Sequence, residues 1–346
     1  MNLRRLIVVL CALLLSGAWL VGPSHADEPV TITLVTHDSF NASKSVLRAF
    51  KQDTDIRVKV LRGGDAGQVV NQAILTKDHP LGDVLYGVDN TFLSRALDHG
   101  IFEPYESPEL AFVPSSHQLD DRHRVTPIDR ADVCVNYDTQ WFAEHNIDPP
   151  GGITSLSEDA YRGLTVVENP ATSSPGLAFM LATRSLGAMD WRTFWTALRE
   201  NDVAVVDGWE QAWYERFTAV SENGDRPIVV SYASSPVATV PEDGGPARAA
   251  VLDGTCFEQI EFAGVLKGTE HRKAARQFVD FLLSEEFQED MPEQMYVFPV
   301  REGAELPQLF VEHADLPTQP GLSIPPEAIE KSREKWIRQW TAIVLR

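Results

Sequence analysis

Strand-like and helix-like runs alternate without interruption from Val30 to Asn90, and few folds accept that pattern. Val30, Ile32 and Leu34 take every second position with Thr31 and Thr33 between them, the period of a strand. Val46, Leu47 and Phe50 then mark one face of a helix. Ile56, Val58 and Val60 predict a second strand, and Val69, Val70, Ala73 and Ile74 a second helix. Asp83 to Tyr86 predicts a third strand, ending at Val88-Asp89-Asn90. Strand–helix–strand order calls for a mostly parallel sheet covered by helices, so the fold class is α/β. Ligands of such sheets bind beyond the carboxyl ends of the strands. His37-Asp38-Ser39-Phe40, Gly63-Gly64-Asp65 and Val88-Asp89-Asn90 are the loops at those ends.

Further along, Asp132 to Tyr137 and Ile260 to Val265 read as strands on either side of a second α/β region, about Leu164 to Tyr232. Two such distant strands imply two crossings between lobes. A chain of 346 residues is also long for one core. Residues 27–131 are therefore expected to form the first part of lobe 1, and 132–257 lobe 2. Residues 258–300 supply the return strand and the rest of lobe 1. A C-terminal helical segment, 301–346, is expected to pack on lobe 2, with one helix from about Pro326 to Leu345.

The first 26 residues have the order of a cleavable signal peptide. Arg4 and Arg5 precede an apolar run, Leu6 to Leu20, and Ser24-His25-Ala26 offers small residues for cleavage near Ala26. An uncleaved anchor is the bland alternative. The expected location is periplasmic or secreted, with no membrane insertion after cleavage. The formal charge of −20 grows more negative once Arg4 and Arg5 leave. So acidic a surface disfavours nucleic acid and anionic lipid as partners. It weakly favours cationic ligands, although solubility alone explains it as well. Cys134 and Cys256 remain after cleavage, and whether they pair stays open because sequence gives no distance.

Four segments attract attention as chemistry. In Thr172-Ser173-Ser174-Pro175-Gly176, Ser174 suits an N-cap and Pro175 the first helical position. Such a start is a natural anion site, or else a plain cap. Gly208-Trp209-Glu210-Gln211-Ala212-Trp213-Tyr214 sets Trp209 and Trp213 four apart, as a core stripe or a stacking platform. Ser231-Tyr232-Ala233-Ser234-Ser235-Pro236 follows a strand where a cleft is expected, and Tyr296 is a further exposed-aromatic candidate. No nucleophile elbow, phosphate loop or His-Glu-x-x-His is present. Nine histidines are scattered without ligand spacing. No metal, cofactor or enzymatic activity is predicted.

Together with Thr36-His37-Asp38-Ser39-Phe40, Gly64-Asp65, Gly87-Val88-Asp89-Asn90 and Phe298-Pro299-Val300, these segments resemble the thiamine-binding periplasmic protein family, the solute receptors of thiamine ABC importers. The likeness runs from Val30 to the C-terminal helix. It implies a two-lobed periplasmic-binding-protein fold, type II-like, with crossover strands at a hinge. It implies a monomeric receptor that delivers thiamine or a thiamine phosphate to a permease and its ATPase. The ligand positions it implies are Asp65, Ala66, Ser173, Ser174, Trp209, Tyr232, Ala233, Ser234 and Ser235, with Tyr296 as a pocket aromatic. Trp209, Tyr232 and Tyr296 would stack on the rings and hold the cation, Asp65 would accept from the amino group or oppose the charge, and Ser173 and Ser174 would hold the hydroxyl or a phosphate.

Three departures bear on the ligand. His37 stands where the family usually has a tyrosine, the chain is shorter just after Phe40, and Arg130-Ala131 replaces an aromatic and a glycine. Arg130 facing the cleft would favour a phosphate or an anionic ligand. The same receptor class for another cationic or phosphorylated solute is the alternative. A thiamine-degrading enzyme using Cys134 as nucleophile is a further one.

Overall fold

The computed structural model describes residues 29–185, 189–314 and 322–346. The leader expected over residues 1–26 lies outside them. The first lobe opens with β1 (Val30–Thr36), α1 (Lys44–Thr54), β2 (Ile56–Arg62), α2 (Ala66–Leu75), β3 (Val84–Asp89) and α3 (Leu93–Asp98). The chain then crosses on β4 (Thr126–Asp138) and builds α4 (Thr139–His145), β5 (Thr165–Glu168), α5 (Ser174–Arg184), α6 (Trp191–Glu200), β6 (Ala204–Val206), β7 (Ile228–Tyr232) and β8 (Ala249–Val251). It returns on β9 (Phe257–Val265) to α7 (Arg272–Leu282), α8 (Glu285–Met295) and β10 (Phe298–Pro299). It finishes with α9 (Gln308–His313), α10 (Pro326–Glu330) and α11 (Arg333–Val344).

These strands form one sheet in the order β2-β1-β3-β9-β4-β7-β5-β6, with β8 and β10 also paired to β4. Within each lobe the β1–β2, β1–β3, β5–β6 and β5–β7 pairs are parallel, as the alternation predicts. β4 and β9 run antiparallel to their neighbours and join the lobes. The first part of β4, Thr126 to Val133, pairs with β9, and the second, Val133 to Tyr137, with β7. Both crossover strands are longer than the apolar runs that mark them. Polar residues such as Asp129, Arg130 and Gln259 continue the ladder past the point where hydrophobicity fades.

Side-chain alternation gives the sheet two covered faces. In lobe 1, Ile32, Leu34, Val84 and Tyr86 point to α1, α7 and α8, where Phe50, Phe278, Leu282 and Phe287 close the layer. Val35, Leu85 and Val88 point the other way, into a core that continues through α2 and α3 to α5 and α6 of lobe 2. Spacing explains the helices: α1 buries Val46 and Phe50, and α7 buries Ala274, Ala275, Phe278, Val279 and Leu282. Helix α5 is buried from Ser174 through Thr183, so it is a core helix rather than an amphipathic one.

The C-terminal segment differs from the sequence reading in two ways. The single helix expected from Pro326 to Leu345 breaks at Ser332, which leaves helical backbone at φ −132°. Serine competes for backbone hydrogen bonds and favours helix starts over interiors. Packing of 301–346 also reaches beyond lobe 2. Trp340 of α11 lies edge-on to Trp195 of α6, with ring centroids 5.4 Å apart. Helix α10, by contrast, packs on α3 of lobe 1, Arg95 pairs with Glu334 at 3.0 Å, and buried Arg333 lies over the Phe92 ring.

Cys134 on β4 and Cys256 just before β9 are joined in a disulfide, packed against Ala233. It bridges a sequence separation of 122 residues. Loop-closure entropy makes a bond of this span worth about 2–5 kcal/mol. Reduction is expected to lower the urea midpoint while non-reduced peptide mapping finds Cys134 linked to Cys256. An unchanged midpoint after full reduction would show that the bond adds nothing.

Candidate functional site

The cleft lies where strand ends from both lobes meet. His37 and Ser39 come from the loop after β1, and Asp65 and Ala66 from the start of α2. Lobe 2 contributes Ser174, Trp209 and Tyr232. Glu261 of the return strand β9, with Met295 and Val297 on either side of the α8 end, completes the lining. The space is about 440 Å³ counted out to its open mouth, open solvent included.

Trp209 and Tyr232 form an aromatic wall, their rings 6.0 Å apart and tilted by 52°. Trp209 is braced twice. Its indole N–H donates to Ser231 Oγ at 2.8 Å, and the buried Trp213 ring stacks behind it at 5.8 Å and 14°. The pair sits at the start of a π-helical turn, Gln211–Arg216, rather than on an α-helix. Trp213 is core, and Trp209, itself largely buried, lines the cleft.

Asp65 joins the two lobes. It caps α2 with its own capping box, and its carboxylate also accepts from two lobe 2 backbone groups: Trp209 N at 2.8 Å and Ser174 N at 3.3 Å. Burial pushes its pKa up, against the pull of those N–H groups and of His37. Gln68 N donates to Thr172 O at 3.1 Å beside it.

Carboxylates also form the floor. Tyr86 donates to Asp129 and lies 3.5 Å from Glu261. Burial and the nearby Glu261 hold Asp129 far above the usual carboxylate range. His37 Nε2 stands 3.6 Å from Glu261, an ion-pair separation rather than a hydrogen bond, and its Nδ1 meets Ser39 Oγ at 2.9 Å. Its ring packs against Gly87, whose φ of 99° and missing Cβ make room; a Cβ there would lie 2.2 Å from His37 Cδ2.

Of the positions singled out in the sequence, His37, Asp65, Ala66, Ser174, Trp209 and Tyr232 come together. Ser173, Ala233, Ser234, Ser235 and Tyr296 do not line the cleft and serve it from behind. The α5 cap is Ser173, not Ser174; its Oγ accepts from Gly176 N, and Pro175 is the second helical residue. Ser235 Oγ meets Ser231 Oγ at 2.7 Å and accepts from Tyr232 N, while Ala233 N donates to Asp132 O. Tyr296 takes left-handed backbone at the end of α8, and its carbonyl accepts from Ser234 Oγ at 2.5 Å. Its neighbours Met295 and Val297 face the cleft instead.

Arg130 lies over the Phe298 ring, 5.4 Å from its centroid, and is not among the cleft-lining residues. The disulfide leaves Cys134 no thiolate, so the nucleophile reading fails. Sequence reading missed Glu261, Asp129, Met295 and Val297. The signal for Glu261 was a lone acid between Ile260 and Phe262. Among the described residues no helix is long and apolar enough to cross a membrane, and no three or more His, Cys, Asp or Glu cluster to hold a metal ion.

The profile of the bacterial extracellular solute-binding proteins matches residues 79–318. The chain belongs to this family. As a solute-binding protein it is similar to the thiamine-binding periplasmic protein of Brucella suis biovar 1 (strain 1330), with 26% identity over 322 residues, 91% of this chain and 92% of the relative. A solved periplasmic thiamin binding protein superposes with a TM-score of 0.79 at 24% identity, covering 91% of this chain and 96% of that one. Iron-bound HitA from Pseudomonas aeruginosa gives a TM-score of 0.72 at 24% identity, covering 91% and 99%. The two-lobed receptor fold is thus shared with proteins named for different cargoes.

His37 titrates above the ordinary histidine value of 6.5: burial works against the charged ring, and attraction to Glu261, then Asp65 and Asp38, outweighs it. The charged ring therefore adds stability below pH 6.5, lost as pH rises through the folded value. Glu261→Gln is expected to lower the His37 pKa, followed by NMR of the ring protons. An unmoved titration would show that Glu261 does not hold the charge.

Proposed function

We propose that this solute-binding protein is the receptor of a thiamine ABC importer, binding thiamine between its lobes outside the cytoplasmic membrane and handing it to a permease driven by an ATPase. The observation that carries the reading is the pairing of an aromatic wall, Trp209 and Tyr232, with the carboxylates of Asp65 and Glu261 in one cleft. A flat cationic ring is attracted by aromatic faces and by opposing charge together. Thiamine has that chemistry in its thiazolium, and its aminopyrimidine offers donors to a carboxylate. The names of the relatives point to the same ligand.

Asp65, Ser174 and Trp209 already touch across the lobes, so ligand and closure share residues. The reading is of a periplasmic monomer that binds and releases its cargo without converting it. His37 takes one side of the cleft in place of a tyrosine and brings a titratable ring, faced by Glu261, to the floor.

Titration with thiamine is expected to change tryptophan fluorescence and release calorimetric heat. No signal at micromolar-to-millimolar thiamine would sink the reading. Trp209→Ala is expected to weaken binding by about 1–2 kcal/mol, roughly tenfold, from lost stacking and cation–π attraction. Unchanged affinity would place Trp209 in the core alone.

A further inference from the structure

Among the described residues that line the cleft, His37 is the one basic side chain. It is buried, and its two ring nitrogens are held differently. Nδ1 meets Ser39 Oγ at 2.9 Å, and a hydroxyl can take either role toward it. Nε2 is buried with no hydrogen-bond partner among the described residues, and it faces Glu261 at 3.6 Å. A proton on Nε2 is therefore held by opposing charge rather than by a hydrogen bond. Its loss costs the ring no other contact. Nδ1–H still donates to Ser39, and Gly87 still makes room for the ring.

The groups around this ring come from every element packed on it. Glu261 reaches it from β9, Asp65 from the start of α2 and Asp38 from its own loop, and all three favour the charged form. Tyr86 of β3 lies beside it, ring centroids 5.6 Å apart, and donates to Asp129 of β4. Glu210, next in sequence to Trp209, feels the charge of His37 as well. Arg62, at the end of β2, gives its guanidinium to the carbonyls of Asp38 and Phe40. Met295 and Val297 bring no charge. Before cargo arrives, the imidazolium is thus the counter-charge to Glu261. A cation brought into the same cleft competes with it for the same carboxylates, and a like charge nearby disfavours the charged ring.

We propose that capture is an exchange of charge at His37: as the cationic cargo enters, the Nε2–H bond breaks, its electron pair stays on the ring and the proton leaves to the buffer. His37 is then the residue that sets the pH dependence of binding. This rests on the thiamine reading above and deepens it. The bared Nε2 is an acceptor, to which an aminopyrimidine can donate. Linkage fixes the sign. Affinity is greatest where the cargo-free ring is already neutral. It falls as pH falls through the titration of that ring, and levels off below the lower titration of the bound state.

Calorimetry with thiamine in two buffers of different ionisation enthalpy counts the protons released. At neutral pH up to about one proton is expected to leave per thiamine bound. Affinity is expected to be about tenfold weaker at about pH 5.5 than at about pH 8.5, a modest share of the repulsion between two charges a few ångströms apart near a protein surface. His37→Gln keeps a polar side chain beside Ser39 and cannot titrate. It is expected to lose the release and flatten the profile, whatever its affinity; the titrations of thiamine itself and of the buried Asp65 and Asp129 are common to both proteins. Release that persists in this variant belongs to the carboxylates and overturns the inference. NMR of the His37 ring protons in the unaltered protein gives the same answer without a substitution. Saturating thiamine is expected to move their titration to lower pH. An unmoved titration, or binding with no proton released, overturns the inference while leaving the thiamine reading intact. No binding at either pH overturns the thiamine reading and this inference with it.

Discussion

The antiparallel ladder between β4 and β9 underlies the rest of the molecule. Each strand is paired on both sides: β9 pairs with β3 on one side and β4 on the other, and β4 pairs in turn with β9 and with β7. The lobes are therefore two ends of one hydrogen-bonded surface, not two domains on a linker. The placement of the cleft follows. In lobe 1 the parallel strands β1 and β2 aim their carboxyl ends at the junction, and in lobe 2 the residues after β5 and β7 do the same. Glu261 lies on the shared strand itself, at the floor of the cleft.

That floor carries a tension. Asp129 and Glu261, with Glu168 nearby, are carboxyl groups removed from water, Asp65 is partly so, and each would be costly if charged and alone. The structure relieves the cost differently at each. Burial, helped by the nearby Glu261, pushes the Asp129 pKa well up, and burial does the same to Glu168. Asp65 takes backbone N–H groups from both lobes, and Glu261 stands opposite His37. A positive ring entering between them would supply the missing counter-charge, so under the proposed function the site is least comfortable when empty. Aromatic stacking alone would not select a cation over a neutral ring.

Much of the fold was legible because burial here follows period. The alternation in Val30 to Leu34 and the spacing of Ala274 to Leu282 survive intact as β1 and α7. Asp132 to Tyr137 correctly marked a crossing, but β4 begins six residues earlier at Thr126, hidden by Pro127, Asp129 and Arg130. Composition rules send such residues to the surface, and only a tertiary partner such as Tyr86 explains a buried Asp129. The site was legible where chemistry sits at a strand end or on the loop after it, as with Tyr232, His37 and Asp65. It was not where backbone geometry decides direction: left-handed Tyr296 turns its neighbours inward in its place. The pairing of Cys134 with Cys256 required a distance that no sequence contains.

The C-terminal segment has a mechanical consequence. Ile260 and Glu261 are consecutive on β9 and so point to opposite faces of the sheet. Glu261 looks into the cleft, while Ile260 looks to the back, where Ser323 to Glu327 lie against it. Beyond them α10 and the first residues of α11, Arg333 and Glu334, grip lobe 1, and the rest of α11 grips lobe 2. The molecule is thus built like a clothes peg: two crossover strands form the fulcrum, and the C-terminal arm is a spring across the rear. Any gape at the front has to be matched by movement behind, along α11, whose hold passes from Phe92 of lobe 1 at Arg333 to Trp195 of lobe 2 at Trp340.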